Sequence, residues 1–202
     1  MYFQSDYVLR MIQMMGDFFR RLLDILDEFI KNEEYDKFIR KQCGISSETA
    51  ENLSADSLIA MLPDGPRFML SELFYVRANA FNLDDEKRAD CLYKALRLLL
   101  SVGKENLLCE MRQERLLSLY DDVYENLTAE DSFAIVSFLI TAEDYYKAED
   151  VLFDALNSFS GADYAMLLEK GIAAYEKLMA ESPNPELSET LQELKQKQDL
   201  NA

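Results

Sequence analysis

The stretch 133–140, which reads Phe-Ala-Ile-Val-Ser-Phe-Leu-Ile, constrains the fold of this chain more than any other. Seven of its eight residues are apolar, so by itself it fits either a buried strand or a helix that is buried on all sides. The preceding Thr128-Ala-Glu-Asp131 places a hydroxyl three residues before a carboxylate, which is the pattern of a capping box at a helix N-terminus. We therefore predict a helix at 129–142 that neighbouring elements cover on every side.

The composition favours helices over strands. Glycine and proline are scarce, at 6 and 4 residues in 202, and a chain with few helix breakers and many good helix formers is expected to be helical. We predict an all-α fold built from antiparallel helical hairpins. No apolar run reaches the roughly 20 residues that span a bilayer, and we expect a cytoplasmic protein.

The charge and the cysteines exclude several classes of function. The formal net charge is −17, and such a field repels nucleic-acid phosphates and anionic lipid headgroups, so we expect neither a nucleic acid nor a membrane as partner. Histidine is absent, and Cys43, Cys91 and Cys109 show no Cys-x-x-Cys spacing. These features exclude the usual zinc sites. We predict no metal, no cofactor, and reduced thiols that are partly buried.

A long amphipathic helix is predicted from Asp6 to Lys31, because apolar residues recur there every three or four positions. Packing of this stripe on the protein's own core is the first interpretation. The second is a face for docking a partner or for self-association into a homodimer, since methionine side chains adapt to binding surfaces. Carboxylates on the polar side disfavour a membrane-surface helix. The candidate residues of the docking face are Met11, Met14, Met15 and Phe18.

The strongest break in the chain is Pro63-Asp-Gly-Pro66, which is predicted to be a turn. We place a domain boundary there, between an N-terminal long helix with a short-helix cap at 1–62 and a helical array at 67–202. The remaining predicted helices lie at about 33–42, 45–53, 54–62, 67–81, 85–102, 105–127, 144–159, 162–180 and 185–198.

Two segments resemble tetratricopeptide repeats, which are 34-residue helix–turn–helix units. In the better one, which begins near Ala129, Ser132 stands at the usual tryptophan position and Val136 at the usual glycine position. The weaker one, 92–98, matches the Lys-Ala-Leu end of a repeat, but Arg88 occupies its small-residue position. The resemblance implies a tetratricopeptide-like array. The residues that match the second helix of the better repeat are Tyr145, Ala148, Leu152, Ala155 and Leu156.

Three further segments carry a second resemblance. They are Asp6-Tyr-Val-Leu-Arg-Met-Ile12, the region 45–58 with Ile45-Ser-Ser and Leu53-Ser-Ala-Asp-Ser-Leu58, and Lys94-Ala-Leu-Arg-Leu-Leu99. Together they are similar to an uncharacterised domain-of-unknown-function family of Gram-positive bacteria, whose members join an N-terminal helix to repeat-like hairpins. The resemblance implies a cytoplasmic bacterial protein and supplies no catalytic residue.

Acidic pairs are frequent, and several stand at predicted helix starts, where negative charge offsets the helix dipole. We interpret them as caps rather than as general acid–base or metal groups. The chain has no glycine-rich phosphate loop, and without histidine a hydroxyl or thiol nucleophile lacks its commonest activating base. A Cys–Lys or Ser–Lys arrangement stays open. The pairs are Asp84-Asp85, Asp121-Asp122, Glu130-Asp131, Glu143-Asp144 and Glu149-Asp150.

Tyrosines are concentrated in the C-terminal part of the chain, where half-buried rings that pack helices are the first interpretation. An aromatic-rimmed groove for a peptide is the alternative. The sequence as a whole predicts a non-catalytic protein–protein interaction or scaffold module. A homo-oligomer assembled through the N-terminal helix is the second hypothesis, and an enzyme with a carboxylate or Cys/Lys site is the third. The candidate groove residues are Tyr120, Tyr124, Tyr145, Tyr146 and Tyr164.

Overall fold

A computed structural model describes residues 2–103, 109–182 and 184–200. All regular structure in these residues is helical, which confirms the predicted all-α class. The helices are α1 (Tyr2–Leu23), α2 (Glu28–Cys43), α3 (Ser47–Asn52), α4 (Ala55–Met61), α5 (Asp64–Ala80), α6 (Asp85–Ser101), α7 (Cys109–Val123), a short 3₁₀ helix (Tyr124–Asn126), α8 (Ala129–Thr141), α9 (Tyr145–Ser158), α10 (Gly161–Glu181) and α11 (Pro185–Leu200).

The chain divides into two compact units, which we call unit 1 (residues 1–124) and unit 2 (residues 125–202). The boundary expected at 63–66 lies inside unit 1. α5 begins there and packs against α1 and α2 as well as against α6, so the N-terminal helices and the first hairpin share one core.

α5 is the buried centre of unit 1. Every residue from Phe68 to Phe74 is buried, because α1, α2 and α6 all pack against this helix. The polar residues of this run have partners: the Ser71 hydroxyl donates to the Ala95 carbonyl at 2.7 Å, and Glu72 accepts from Arg115 at 2.9 Å. A helix that is buried all round is stable only when such groups are satisfied.

Side-chain caps set several helix starts at the predicted positions. Thr128 and Asp131 form the predicted capping box, in which each side chain accepts the other residue's backbone N–H, at 3.1 and 3.2 Å. Asp84 accepts the N–H of Lys87 at 2.8 Å. Gly44, with a φ of 75°, ends α2 in the left-handed conformation that glycine adopts without strain. Ser46 and Ser54 cap α3 and α4.

The coverage of α8 is less complete than predicted. Ile135, Val136 and Leu139 are buried, but Phe133 and Ile140 on the remaining surface are only half-buried. Within unit 2, α8 packs against α9 and α10, and these two neighbours cover part of its circumference. The apolar sequence of α8 therefore exceeds what its neighbours bury.

The predicted long helix from Asp6 to Lys31 is wrong, because α1 ends at Leu23 and α2 begins at Glu28. The ring of Phe18 stacks on Phe38 with centroids 3.8 Å apart. Gln42 lies beside Met14, with Nε2 3.3 Å from Sδ. The later residue of α1 therefore contacts the earlier residue of α2, and the earlier one contacts the later. The two helices run antiparallel and form a hairpin.

Two other boundaries differ from the sequence-based expectation. Pro63-Asp-Gly-Pro66 is the start of α5 rather than a separate turn, since Pro66 falls in the first helical turn, where its missing N–H costs no hydrogen bond. The predicted start of a helix near residue 105 lies outside the described residues.

Unit 2 contains a close helix approach at Gly171 on α10. A Cβ at this position would lie 2.9 Å from Cδ2 of Leu152, a fully buried residue of α9. Ala148 and Ala155 on α9 are also buried. Small residues at these positions let α9 and α10 pack closely.

We predict that Gly171→Val lowers the unfolding free energy by about 1–3 kcal/mol, because the added methyl groups overpack the contact with Leu152. The matched control is Gly16→Val, since Gly16 lies on the exposed side of α1, where an added Cβ would meet nothing within 4 Å. That control should change the free energy by no more than about 0.5 kcal/mol. Urea denaturation followed by circular dichroism measures both, and equal effects would contradict the close approach.

Candidate interaction surface

The connection between α1 and α2 presents large apolar side chains to solvent. Leu22 is buried and anchors the end of α1, and residues 24–27 lead to α2. The four exposed side chains that follow Leu22 form what we call the apolar corner. They are Leu23 (58% exposed), Leu26 (94%), Phe29 (73%) and Ile30 (48%).

The concentration of these residues distinguishes the apolar corner from ordinary surface. Half of the eight residues 23–30 are large, apolar and exposed. The other large apolar side chains that are exposed in the described part of the chain are separated in sequence from one another: Met61, Met111, Tyr124 and Tyr146. Isolated apolar residues are normal on a surface, whereas a concentrated group is typical of a binding site.

The apolar corner stands on a fixed backbone. The Asp27 carboxylate accepts the N–H groups of Phe29 and Ile30, at 2.9 and 3.1 Å, and so begins α2. Lys31, in the first turn of α2, then ties this helix to the C-terminal end of α5. The Lys31 ammonium, which is largely buried, donates to the Glu28 carboxylate at 3.1 Å and to the Ala80 carbonyl at 3.2 Å.

Further contacts fix α2 and α3 on α5. The hydroxyl of Tyr35 donates to the Leu73 carbonyl at 3.1 Å, and burial raises the pKa of Tyr35 well above its ordinary value. Arg77 pairs with Glu51 on α3 at 3.1 Å and lies over the Phe81 ring, 4.4 Å from its centroid. These contacts fix the helix that carries Phe29 and Ile30 against α5.

The methionine face of α1 is covered by unit 1 itself. Met11, Met15 and Phe18 are buried, and Met14 is half-buried beside Gln42. Self-association through this face needs accessible side chains, and their burial within one chain removes that basis. The first interpretation, in which the stripe packs on the protein's own core, describes these residues.

The candidate tyrosines are divided between the two units. The rings of Tyr120 and Tyr124 meet edge-on in unit 1, with centroids 5.5 Å apart. Tyr145, Tyr146 and Tyr164 belong to unit 2, where Tyr146 is exposed and the other two are half-buried. The structure therefore brings the rings of Tyr120 and Tyr124 into contact.

The described cysteines are buried free thiols. Burial raises the pKa of Cys43 and of Cys91 to about 12 in each case. The thiolate is the nucleophilic form of cysteine, and these two residues hold almost none of it at neutral pH. The side chain of Cys109 lies outside the described residues.

The acidic groups that the sequence singles out have structural partners in several cases. Asp84, Asp131 and Asp144 cap helices, and Glu149 accepts a hydrogen bond from Thr190 at 2.8 Å. Among the described residues, no cluster of three or more metal-ligating side chains is found.

A cavity of about 170 Å³ opens in unit 1 between α5 and α7. Its main charged groups already satisfy each other, because Arg115 binds both carboxylate oxygens of Glu72 at 2.9 Å. The guanidinium also lies 3.6 Å from the centroid of the Tyr75 ring. The cavity is lined by Phe68, Glu72, Met111, Glu114 and Arg115.

Sequence reasoning assigned the residues of the apolar corner to a continuous helix and did not identify them as a site. The signal that could have found them is Asp27-Glu28, an N-cap residue followed by an acid in the first helical turn. None of the helices in the described parts of the chain combines the length and apolar character needed to cross a bilayer.

The sequence profile of a family of unknown function (DUF6483) matches residues 2–190. No curated protein and no solved structure is significantly similar to the chain.

We predict that Leu26→Ser with Phe29→Ser changes the unfolding free energy by less than about 0.5 kcal/mol and lowers the fluorescence of a bound hydrophobic dye. The reason is that both side chains already face water. Leu22→Ser is the control, because it removes a buried side chain and should cost more than about 2 kcal/mol. Comparable destabilisation by the two variants would show that the apolar corner is covered in solution.

We predict slow alkylation of Cys43 and Cys91 in the folded chain, because both thiols are buried and protonated. Iodoacetamide at about pH 8.5, close to the pKa of a free thiol, should modify each at least roughly tenfold faster in urea than in buffer. Peptide mass spectrometry reads each cysteine separately. Rapid labelling of either one in the native chain would revive the thiol-enzyme hypothesis.

Proposed function

The chain belongs to this family of unknown function, DUF6483, and we propose that it is a non-catalytic module that binds a partner protein through the apolar corner. The observation that carries the proposal is the exposure of Leu26 and Phe29 on a backbone held by Asp27 and Lys31. Burying one such side chain contributes about 1.5–3 kcal/mol. Two of them at the centre of an interface are enough to act as its energetic anchors.

The chemistry of the other candidate groups supports a non-catalytic role. Cys43 and Cys91 are protonated thiols, and the Glu72–Arg115 pair in the cavity has both carboxylate oxygens occupied. General acid–base and nucleophilic chemistry both need a group that is free to exchange a proton or attack a substrate. These groups are engaged in packing and pairing instead.

A tetratricopeptide-like arrangement of unit 2 is part of the proposal. The α8–α9 hairpin with small residues at Ala148, Ala155 and Gly171 supports it, and such hairpins commonly serve as scaffolds for protein binding. We also propose a cytoplasmic, bacterial setting, which the sequence resemblance and the buried free thiols support.

We predict that crosslinking in cells that produce the full-length chain captures a partner protein in a manner that depends on the apolar corner. The same partner should be recovered with the wild-type chain and with Tyr146→Ser, a control that removes an exposed aromatic residue from unit 2. It should be lost with Leu26→Ser and Phe29→Ser combined. Identical crosslinks in all three chains would contradict the proposal.

Light scattering on the purified chain separates self-association from binding to another protein. A monomer at high concentration supports a foreign partner. A dimer that Leu26→Ser with Phe29→Ser dissociates would replace this proposal with the homo-oligomer hypothesis, with the apolar corner rather than the methionine face as the contact.

A further inference from the structure

We propose that the partner of the apolar corner is a cationic amphipathic segment, with apolar side chains on one face and lysine or arginine beside them. This inference rests on the proposed function and adds the chemical class of the partner. It follows from the charges that surround the exposed apolar side chains.

The apolar corner is acidic. Residues 23–30 contain Asp24, Asp27 and Glu28 and no lysine or arginine, and Glu33 follows on the exposed surface of the next turn. Asp24 and Glu33 form no ion pair within 4 Å with a described residue. The charge of Glu33 also acts on Lys37, but Lys37 pairs directly with Glu34, so both carboxylates stay accessible to a partner. Apolar and acidic side chains are therefore interspersed from the end of α1, through the connection, to the first turns of α2.

The neighbouring cations are fewer than the carboxylates around them. Arg20 pairs with the Asp17 carboxylate at 3.5 Å, whereas Arg21 donates to the Asp17 backbone carbonyl at 3.2 Å, which leaves its positive charge in place. Lys31 is buried against Glu28 and Ala80, and Lys37 pairs with Glu34 at 2.9 Å. Residues 17–37 hold seven carboxylates and four cations, so the net charge around the apolar corner is −3 even with the charge of Arg21 included.

This charge decides between the classes of partner that an exposed apolar group could bind. A second copy of the chain would bring Asp24 and Glu33 against the same carboxylates. An anionic membrane and an acidic peptide are repelled in the same way, and the net charge of −17 strengthens the repulsion. A helix with apolar residues every three to four positions and flanking cations complements both features.

The direct test uses two synthetic helical peptides of about 18 residues, five turns of helix. One carries leucine on one face and lysine on the other, and the second has glutamate in place of every lysine. Fluorescence anisotropy with the full-length chain near physiological salt, where long-range attraction is screened, should show at least about tenfold tighter binding of the lysine peptide. Leu26→Ser with Phe29→Ser should weaken that binding about tenfold without changing the charge of the chain.

A pair of charge-matched variants separates a local effect from general attraction to an acidic protein. Asp24→Asn with Glu33→Gln removes two charges at the apolar corner and should weaken binding of the lysine peptide about fivefold. Asp163→Asn with Glu169→Gln removes two exposed charges of α10 in unit 2 and should weaken it less than about twofold. Equal effects of the two pairs would overturn the inference.

The outcomes also separate this inference from the proposed function. If crosslinking to the natural partner depends on Leu26 and Phe29 but both peptides bind equally or not at all, the partner class is wrong and the docking role stands. If the serine variant changes neither crosslinking nor peptide binding, the proposed docking function and the cationic partner class are both wrong. A dimer that the serine variant dissociates, or binding to anionic vesicles that it abolishes, would overturn the cationic partner in favour of a second copy or a membrane.

Discussion

The Asp27 carboxylate, which accepts the N–H groups of Phe29 and Ile30, is the interaction on which the arrangement of unit 1 depends. It starts a new helix where the apolar pattern would otherwise continue the old one. Because α1 ends at Leu23, the chain turns back and Phe18 stacks on Phe38. An uninterrupted helix over 2–43 would be a rod of about 60 Å and could not place both of its halves against α5.

The connection between α1 and α2 determines both which residues enter the core of unit 1 and which stay exposed. α1 and α2 together with α6 surround α5, which is buried at every residue from Phe68 to Phe74. The four apolar residues at the turn itself lie beyond this packing, so they remain in water while Leu22 beside them is buried. An exposed apolar group costs solubility and carries an aggregation risk. Its position on a rigid, acidic hairpin corner is what connects the fold to the proposed binding of a cationic helix.

Local signals in the sequence predicted local structure well. The hydroxyl–carboxylate spacing of Thr128 and Asp131 identified the start of α8, and the acidic pair Asp84-Asp85 marked the start of α6, because each depends on hydrogen bonds within a few residues. The prediction of one helix from Asp6 to Lys31 was wrong because periodicity shows which residues are apolar and not where a helix ends. The side chain of Asp27 caps α2 and so begins a new helix. Coverage of α8 is less complete than predicted because burial depends on the number of neighbouring helices, which composition does not contain. The apolar corner was missed for the same reason, since exposure is a tertiary property.

The most direct test of the hairpin is a distance between spin labels on α1 and α2. Cysteines introduced at Gln13 and Lys41, both exposed, would carry the labels in a chain whose native cysteines are replaced. The contact between the adjacent Met14 and Gln42 predicts a separation below about 25 Å, once the reach of two extended labels is allowed for. An uninterrupted helix over 2–43 would separate the two positions by about 42 Å, from 28 residues at 1.5 Å each. That longer distance would contradict the Asp27 turn, the apolar corner and the binding role built on it.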